Sequence, residues 1–334
     1  MDFKGKTICY ANTVNWEFQL FQRPMHLMQK FADAGWQVYW VNKTQIPGKA
    51  REQVHENITV YHDWNVFKKR FPSVDIYFSS WSHRYTDLNE ISVKLCVYDS
   101  LDNFQQNEIY EPNMISYADI VLTASKPLYD LRKTQHPYVH LVRNACNYDL
   151  TQKYTDMPVD LNRIKKPILL FSGALARDWC DIELVERIAK MSQYSVVVVG
   201  LPWGISIPSD IIYLGAKSYT DLQKYYNNCV LTLLPFRRCQ ISDYSNPIKM
   251  YESLAAGKPV ISTDLPEACE YPGVVFTSKD HDGFIKNIKK ALAFDKTQFA
   301  IKAKTVAQEN TWDIRYQQII KAIEEYCEKE DIII

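Results

Sequence analysis

The chain has 334 residues, with 39 basic and 39 acidic side chains and a formal net charge of zero. That length allows two cores of ordinary size, and the charge balance lacks the basic excess of a duplex-binding surface, so no nucleic-acid partner is expected. Hydrophobic residues make up 46% of the sequence, which excludes a disordered chain.

Eight scattered cysteines include no C-x-x-C pair and read as reduced thiols, not as a disulfide framework or a zinc site. The N-terminus, Met1-Asp2-Phe3-Lys4-Gly5-Lys6, has no apolar signal region, and no apolar run approaches the roughly 20 residues of a membrane span. A cytoplasmic chain, peripheral to a membrane at most, is expected. Aromatic residues reach 13%, which suits a polyhydroxylated ligand and an ordinary core alike.

In chain order, 7–11 reads as a strand. A helix follows over 24–34, with Pro24 at its first position, Leu27, Met28 and Phe31 on one face, and Gly35 ending it. Further strands are expected at 37–41, 58–62, 76–79, 94–98, 120–123 and 140–142, with a helix over 125–133 capped by Ser125. The polar stretch 147–166 reads as a linker. A second series of strands then runs through 167–171, 195–199, 211–214, 231–234, 259–262 and 274–276, with helices at 182–191, 220–227 and 247–256. Two tail helices present Phe284, Ile285, Ile288 and Leu292, then Trp312, Tyr316, Ile319, Ile320 and Ile323. Repeated strand–helix–strand units imply an α/β fold with parallel sheets covered on both faces.

The segment from Ser245 to Thr263 carries the most chemistry. Asn246 reads as a helix cap, Pro247 as the opening residue and Gly257 as the close. Lys249 falls in the first turn, where a cation is unfavourable by roughly 0.3–1 kcal/mol unless an anion sits nearby. The free N–H groups of that turn also attract anions. Glu252, three residues on, projects to the same side and could accept two ribose hydroxyls; the plainer reading is a surface Lys249–Glu252 ion pair.

This segment resembles the nucleotide-sugar-binding helix of two-domain GT-B glycosyltransferases, in the large retaining family often called glycosyltransferase family 4. Glu252 in Glu252-Ser253-Leu254-Ala255-Ala256-Gly257-Lys258-Pro259-Val260 matches the family's ribose-binding Glu. An earlier Glu, eight residues before, is replaced here by Tyr244, so its contacts to the sugar are left to Asp243 or to the backbone around Ser245 and Asn246. The resemblance implies two Rossmann-like domains with parallel sheets facing a cleft. Residues 1–150 would take the acceptor and 165–310 the nucleotide sugar, with a final helix at 311–330 crossing back.

It further implies donor contacts at Gly173, at Gly200, which could approach the base, and at Ser245, Asn246 and Pro247. Arg177 would meet the pyrophosphate or be an exposed loop arginine, and Arg237 and Arg238 would seek anions or form an ordinary solvated pair. In the first half, Trp16 and Arg23 lie in the stretch Trp16–Pro24 that would meet acceptor or phosphate. The run Phe21-Gln22-Arg23-Pro24 resembles a subgroup acting in bacterial surface polysaccharide assembly, hence a glycan or lipid-linked acceptor. His26 reads as a helix-face residue. Asp99 stands near the strand end where many relatives place a His, with Asp102 as second choice; either would orient the reacting groups. Catalysis would thus fall to Asp99, Lys249 and Arg177.

No H-E-x-x-H, Walker loop or G-x-G-x-x-G is present, and neither metal nor cofactor is expected. Lys68-Lys69-Arg70, set among Trp64, Phe67 and Phe71, reads as a peripheral membrane patch or, more commonly, a solvated helix end. A nucleotide-sugar epimerase and a non-catalytic nucleotide-sugar-binding partner stand as alternatives.

Overall fold

The computed structural model describes residues 3–11 and 14–334. Met1 and Asp2 of the N-terminal reading lie outside the described residues. The chain divides into two compact units: unit 1 is Met1–Phe18, Gln22–Arg143 and Trp312–Ile334, and unit 2 is Gln19–Phe21 and Asn144–Thr311. No described helix is long and apolar enough to cross a membrane.

Unit 1 is built on eight strands: β1 (Thr7–Ala11), β2 (Gln37–Val41), β3 (Arg51–His55), β4 (Ile58–Tyr61), β5 (Ser73–Ser79), β6 (Ser92–Ser100), β7 (Ile120–Thr123) and β8 (Val139–Leu141). Their order is β3-β4-β2-β1-β5-β6-β7-β8. Every neighbouring pair is parallel except β3–β4, where the polar edge strand Arg51–His55 runs antiparallel. The Trp312–Glu330 helix packs on the Arg23–Asp33 helix within this unit. There His26 stacks on Trp312 with ring centres 4.5 Å apart.

Burial presses the His26 imidazole down from the usual 6.5 to about 3, with Lys30 adding a little. Its folded value lies below its unfolded one, so the neutral ring stabilises the protein above about pH 6.5, and that stability drains as pH falls toward 3. The loss should reach up to about 1.4 kcal/mol per pH unit. Urea midpoints should therefore fall more steeply between pH 7 and 4.5 in wild type than in His26→Phe; parallel profiles would contradict the assignment.

Unit 2 carries β9 (Ile168–Ser172), β10 (Leu175–Ala176), β11 (Ser195–Val199), β12 (Pro202–Trp203), β13 (Ile212–Tyr213), β14 (Leu231–Leu234), β15 (Val260–Thr263) and β16 (Val275–Ser278). The main sheet has the order β13-β11-β9-β14-β15-β16, all parallel, and β10 pairs with β12 as a separate two-stranded ribbon. Alternation explains the unbroken apolar runs. Leu169, Phe171, Val196 and Val198 face one core with the Ile182–Ala189 and Ile248–Ala255 helices. Ile168, Leu170, Val197 and Val199 face the other, against Tyr225 and Tyr226. Each side chain so enclosed contributes roughly 1.5–3 kcal/mol.

The stretch read as a linker instead folds within unit 2. It forms short helices at Tyr148–Lys153, where Asn147 caps Leu150 N, and at Val159–Asn162. A further helix, Lys296–Gln308, buries Phe299, Ala303 and Ala307 between the two tail helices already read.

Candidate functional site

Strand order in unit 2 reverses between β9 and β14, and open parallel sheets take ligands where their order reverses, at the carboxyl ends of the strands. Phe171 lies near the end of β9, Phe236 follows β14, and Lys249 sits in the first turn of the Ile248–Ala255 helix. Lys249 Nζ lies 4.8 Å from the Phe171 ring centre and 5.1 Å from that of Phe236. Among the described residues it makes no hydrogen bond or ion pair. Desolvation pushes its pKa down to about 8, against the opposing pull of Cys180 and Glu252.

Two glycines make room for this head group. Gly173 has φ +108°, and a Cβ there would stand 2.6 Å from Lys249 Nζ. Gly200 has φ +153°, and its Cβ would fall 1.7 Å from the Gly173 carbonyl oxygen, which no side chain can satisfy. The Gly173 N–H donates to Val199 O at 2.8 Å and the Gly200 N–H to Gly215 O at 3.0 Å. Three strand ends thus meet backbone to backbone beside an ammonium that lacks an anion.

Glu252 lies one turn deeper and is 4% exposed. The Tyr226 hydroxyl donates to Glu252 Oε2 at 2.8 Å and lies 2.6 Å from Ser172 Oγ. Desolvation raises the Glu252 pKa, while hydrogen bonds from Tyr226, Tyr219 and Gln223 and the charge of Lys249 oppose the rise. Phe21 stacks on Tyr219 at 5.2 Å. Lys249 and Glu252 form no direct ion pair, so the plainer sequence reading of a surface pair does not describe them.

Several side chains singled out in the sequence are placed differently. Asn246 does not cap the helix: Pro247 is the N-cap residue, with no side-chain cap bond. Asn246 is a buried hub instead. Its Oδ1 accepts from Asn144 N at 2.8 Å, and its Nδ2 donates to Tyr251 Oη at 3.0 Å and Glu267 Oε2 at 2.5 Å. Ser245 Oγ donates to Ser242 O at 3.0 Å. Arg177 is exposed just past the β10–β12 ribbon, and no contact joins it to Lys249. Arg238 is held by Asp243 and Asp264, and Arg237 stands 4.0 Å from Glu183.

In unit 1, Arg23 and Asp99 engage each other. Arg23 Nε donates to Asp99 Oδ2 at 2.9 Å and Nη2 to Oδ1 at 2.8 Å, while Nη1 donates to Val142 O at 2.7 Å and Arg143 O at 3.1 Å. The pair is 2% and 0% exposed. Arg23 is thus turned to Asp99 and to backbone carbonyls instead of a phosphate, and Asp99 is buried against the guanidinium; together they tie the first helix to the end of β6. Trp16 packs edge-on against Trp40 at 5.1 Å, and its backbone N–H donates to Asn42 Oδ1 at 2.8 Å. Lys68 pairs with Glu90 at 2.6 Å, as a solvated helix end does.

Among the described residues, Glu17, Glu52 and His62 are spaced closely enough to hold a metal ion. Asn42 orients the imidazole of this group. Its Oδ1 accepts from Trp16 N, so its Nδ2 is the group facing His62 Nδ1 at 3.0 Å. An amide donor there puts the imidazole proton on Nε2, which faces Glu52 Oε1 at 3.2 Å. Nε2 makes no hydrogen bond at that distance, so the trio is a close His–Glu contact with the ring nitrogen turned to the carboxylate.

The strand order of unit 2 is that of a Rossmann sheet, and unit 1 repeats the same reversal about β1. The structure also superposes on sucrose-phosphate synthase from Thermosynechococcus elongatus with TM-score 0.75 at 14% identity, over 96% of this chain and 99% of that one. The fold is GT-B. A trehalose 6-phosphate synthase from Burkholderia multivorans gives the same result, with TM-score 0.70 at 10% identity over 98% of each chain. Residues 166–293 match the family described as glycosyl transferases group 1, a range that contains Gly173, Gly200, Lys249 and Glu252. A Bacillus subtilis protein named as a teichuronic acid biosynthesis glycosyltransferase, TuaH, is 27% identical over 118 residues, covering 34% of this chain and 30% of that protein.

The rings of Phe171 and Phe236 and the Tyr226–Gln223 support of Glu252 carried no signal in the sequence, because each residue reads there as ordinary core.

Proposed function

We propose that the chain transfers a sugar from a nucleoside-diphosphate sugar to a glycan or lipid-linked acceptor, with retention, in the assembly of bacterial surface polysaccharide. The observation that carries this is the enclosed Lys249 ammonium, which has no counter-ion among the described residues and lies at the strand-order reversal of a GT-B sheet. Unit 2 takes the donor. Its diphosphate meets Lys249 and the free N–H groups of the first helical turn, and its ribose hydroxyls replace partners of Glu252. As the anomeric carbon leaves the phosphate oxygen, charge grows on the nucleoside diphosphate, and a fixed cation stabilises that state more than the ground state. No metal is assigned to this step: the D-x-D triplet Asp280-His281-Asp282 opens a helix, where Asp280 Oδ1 accepts from Gly283 N and Asp282 pairs with Arg187. Unit 1 takes the acceptor. The pathway rests on the likeness to TuaH, and retention on the family resemblance of the Glu252 segment.

The ribose role has a direct test. Calorimetry on full-length protein should find that a nucleoside diphosphate binds roughly tenfold more tightly than its 2′-deoxy form, and that Glu252→Gln narrows the gap. Equal affinities in wild type would remove Glu252 from the donor site.

A further inference from the structure

Glu17, Asn42, Glu52 and His62 all belong to unit 1. Asn42 follows β2, His62 follows β4, Glu52 lies on the edge strand β3, and Glu17 lies between β1 and the Arg23–Asp33 helix. The sheet fixes three of them. Asn42 N donates to Tyr61 O at 2.7 Å, His62 N donates to Ala50 O at 3.0 Å, and Glu52 is in register with Val60. The bond from Trp16 N to Asn42 Oδ1 brings Glu17 to the same place, where its carboxylate accepts from Asn42 Nδ2 at 3.0 Å. One ligand atom from each of Glu17, Glu52 and His62 falls within 4.8 Å of the others. No spacing motif joins the three residues in the sequence, so the group is visible only in the fold.

The carboxylates and the imidazole each lack something that a cation supplies. Two carboxylates at that separation repel, and Lys49 offsets only Glu52, through a solvent-screened i,i+3 pair. His62 is 1% exposed, and its Nε2 is buried with no hydrogen-bond partner among the described residues. That nitrogen lies 3.2 Å from Glu52 Oε1 but off the line that a hydrogen bond requires. A second proton on the ring does not resolve this, because Nδ1 already faces the Asn42 amide donor at 3.0 Å. We propose that Glu17, Glu52 and His62 Nε2 bind a divalent metal ion of the Mn²⁺ to Zn²⁺ range. One imidazole nitrogen with two carboxylate oxygens suits such ions, whereas Mg²⁺ prefers oxygen alone.

Coordination moves the proton of the neutral ring from Nε2 to Nδ1. Asn42 then turns its amide over, so that Oδ1 accepts from Nδ1–H, a common support for a metal-bound histidine. The same turn releases Glu17 from Asn42 Nδ2 for the ion and takes the acceptor away from Trp16 N. The ion thus fastens the Glu17 loop to β3 and to the end of β4, and its arrival is felt at Trp16.

The test uses the full chain, stripped with EDTA and titrated calorimetrically with Zn²⁺, Mn²⁺ and Mg²⁺. About one equivalent of Zn²⁺ should bind, Mn²⁺ roughly tenfold or more weaker, and Mg²⁺ weakest. Tryptophan fluorescence should change in step with the Zn²⁺ isotherm. Glu17→Gln and His62→Gln should each weaken Zn²⁺ by roughly tenfold or more. Glu17 is exposed, so its variant decides the matter even where the buried His62→Gln fails to fold. Three results overturn the proposal: no stoichiometric Zn²⁺ binding by wild type, Mg²⁺ bound as tightly as Zn²⁺, or Zn²⁺ affinity unchanged in Glu17→Gln. The last is also what binding at a thiol such as the exposed Cys269 would give.

Discussion

Lys249→Met should be more stable than wild type at pH 7 in the absence of ligand, and should bind nucleoside diphosphates far more weakly. The Lys249 ammonium is enclosed by Phe171 and Phe236, and its pKa is depressed to about 8 from 10.5. A lowered lysine value means that stability is present above about pH 10.5 and is lost as pH falls through about 8, so the charged form is destabilising at neutral pH. The shift corresponds to about 3 kcal/mol. The two ring contacts offset about 0.5–2 kcal/mol of that, leaving a net gain of about 1–3 kcal/mol for an unbranched apolar replacement. Binding should move the other way, since a charge-assisted contact to phosphate is worth roughly 1.5–3 kcal/mol, about ten- to a hundredfold in affinity. Thermal melts and nucleotide titrations on the same preparation check both halves. A less stable variant, or one that binds nucleotide as wild type does, would contradict the role given to Lys249.

Arg23→Met should destabilise unit 1 by about 3–5 kcal/mol, because it strands the buried Asp99 carboxylate. The double variant Arg23→Met/Asp99→Leu should be less damaged than the two single changes added together, since no charge is left unpaired. Urea denaturation of the four proteins closes the cycle. If Arg23 served a ligand phosphate instead, its loss would leave the denaturation midpoint nearly unchanged and weaken ligand binding. The hydrogen bonds of Arg23 to Asp99 and to the Val142 and Arg143 carbonyls predict the first outcome.

The sheets were legible in the sequence because both faces are covered. Runs such as Ile168–Ser172 and Ser195–Val199 are apolar throughout, and two-sided burial leaves no other pattern. The edge strand Arg51–His55 was not legible. Its residues are mostly exposed and polar, and pairing with Ile58–Tyr61 is what makes it a strand. The Lys296–Gln308 helix escaped notice because small Ala303 and Ala307 do much of its packing, which leaves a faint apolar stripe. Lys249 and Glu252 could be picked out because their spacing is local to one helix. Arg23 and Asp99 could not be paired, since 76 residues separate them and each looks like a free charged group in its own segment. Asn246-Pro247 had the form of a cap, but Glu267, Tyr251 and Asn144 compete for the amide and win it.

The most direct test of the donor site is calorimetric titration of the full-length protein with UDP, GDP, ADP and CDP at pH 8.5, in buffers of different ionisation enthalpy. With its pKa near 8, Lys249 is partly neutral under those conditions, and a bound diphosphate should restore its proton. The predicted result is submillimolar binding of at least one nucleotide with net proton uptake, and the uptake should be missing from Lys249→Met. Failure of every nucleotide to bind a folded sample, or binding with the same proton uptake in the variant, would contradict the assignment of the donor diphosphate to this helix.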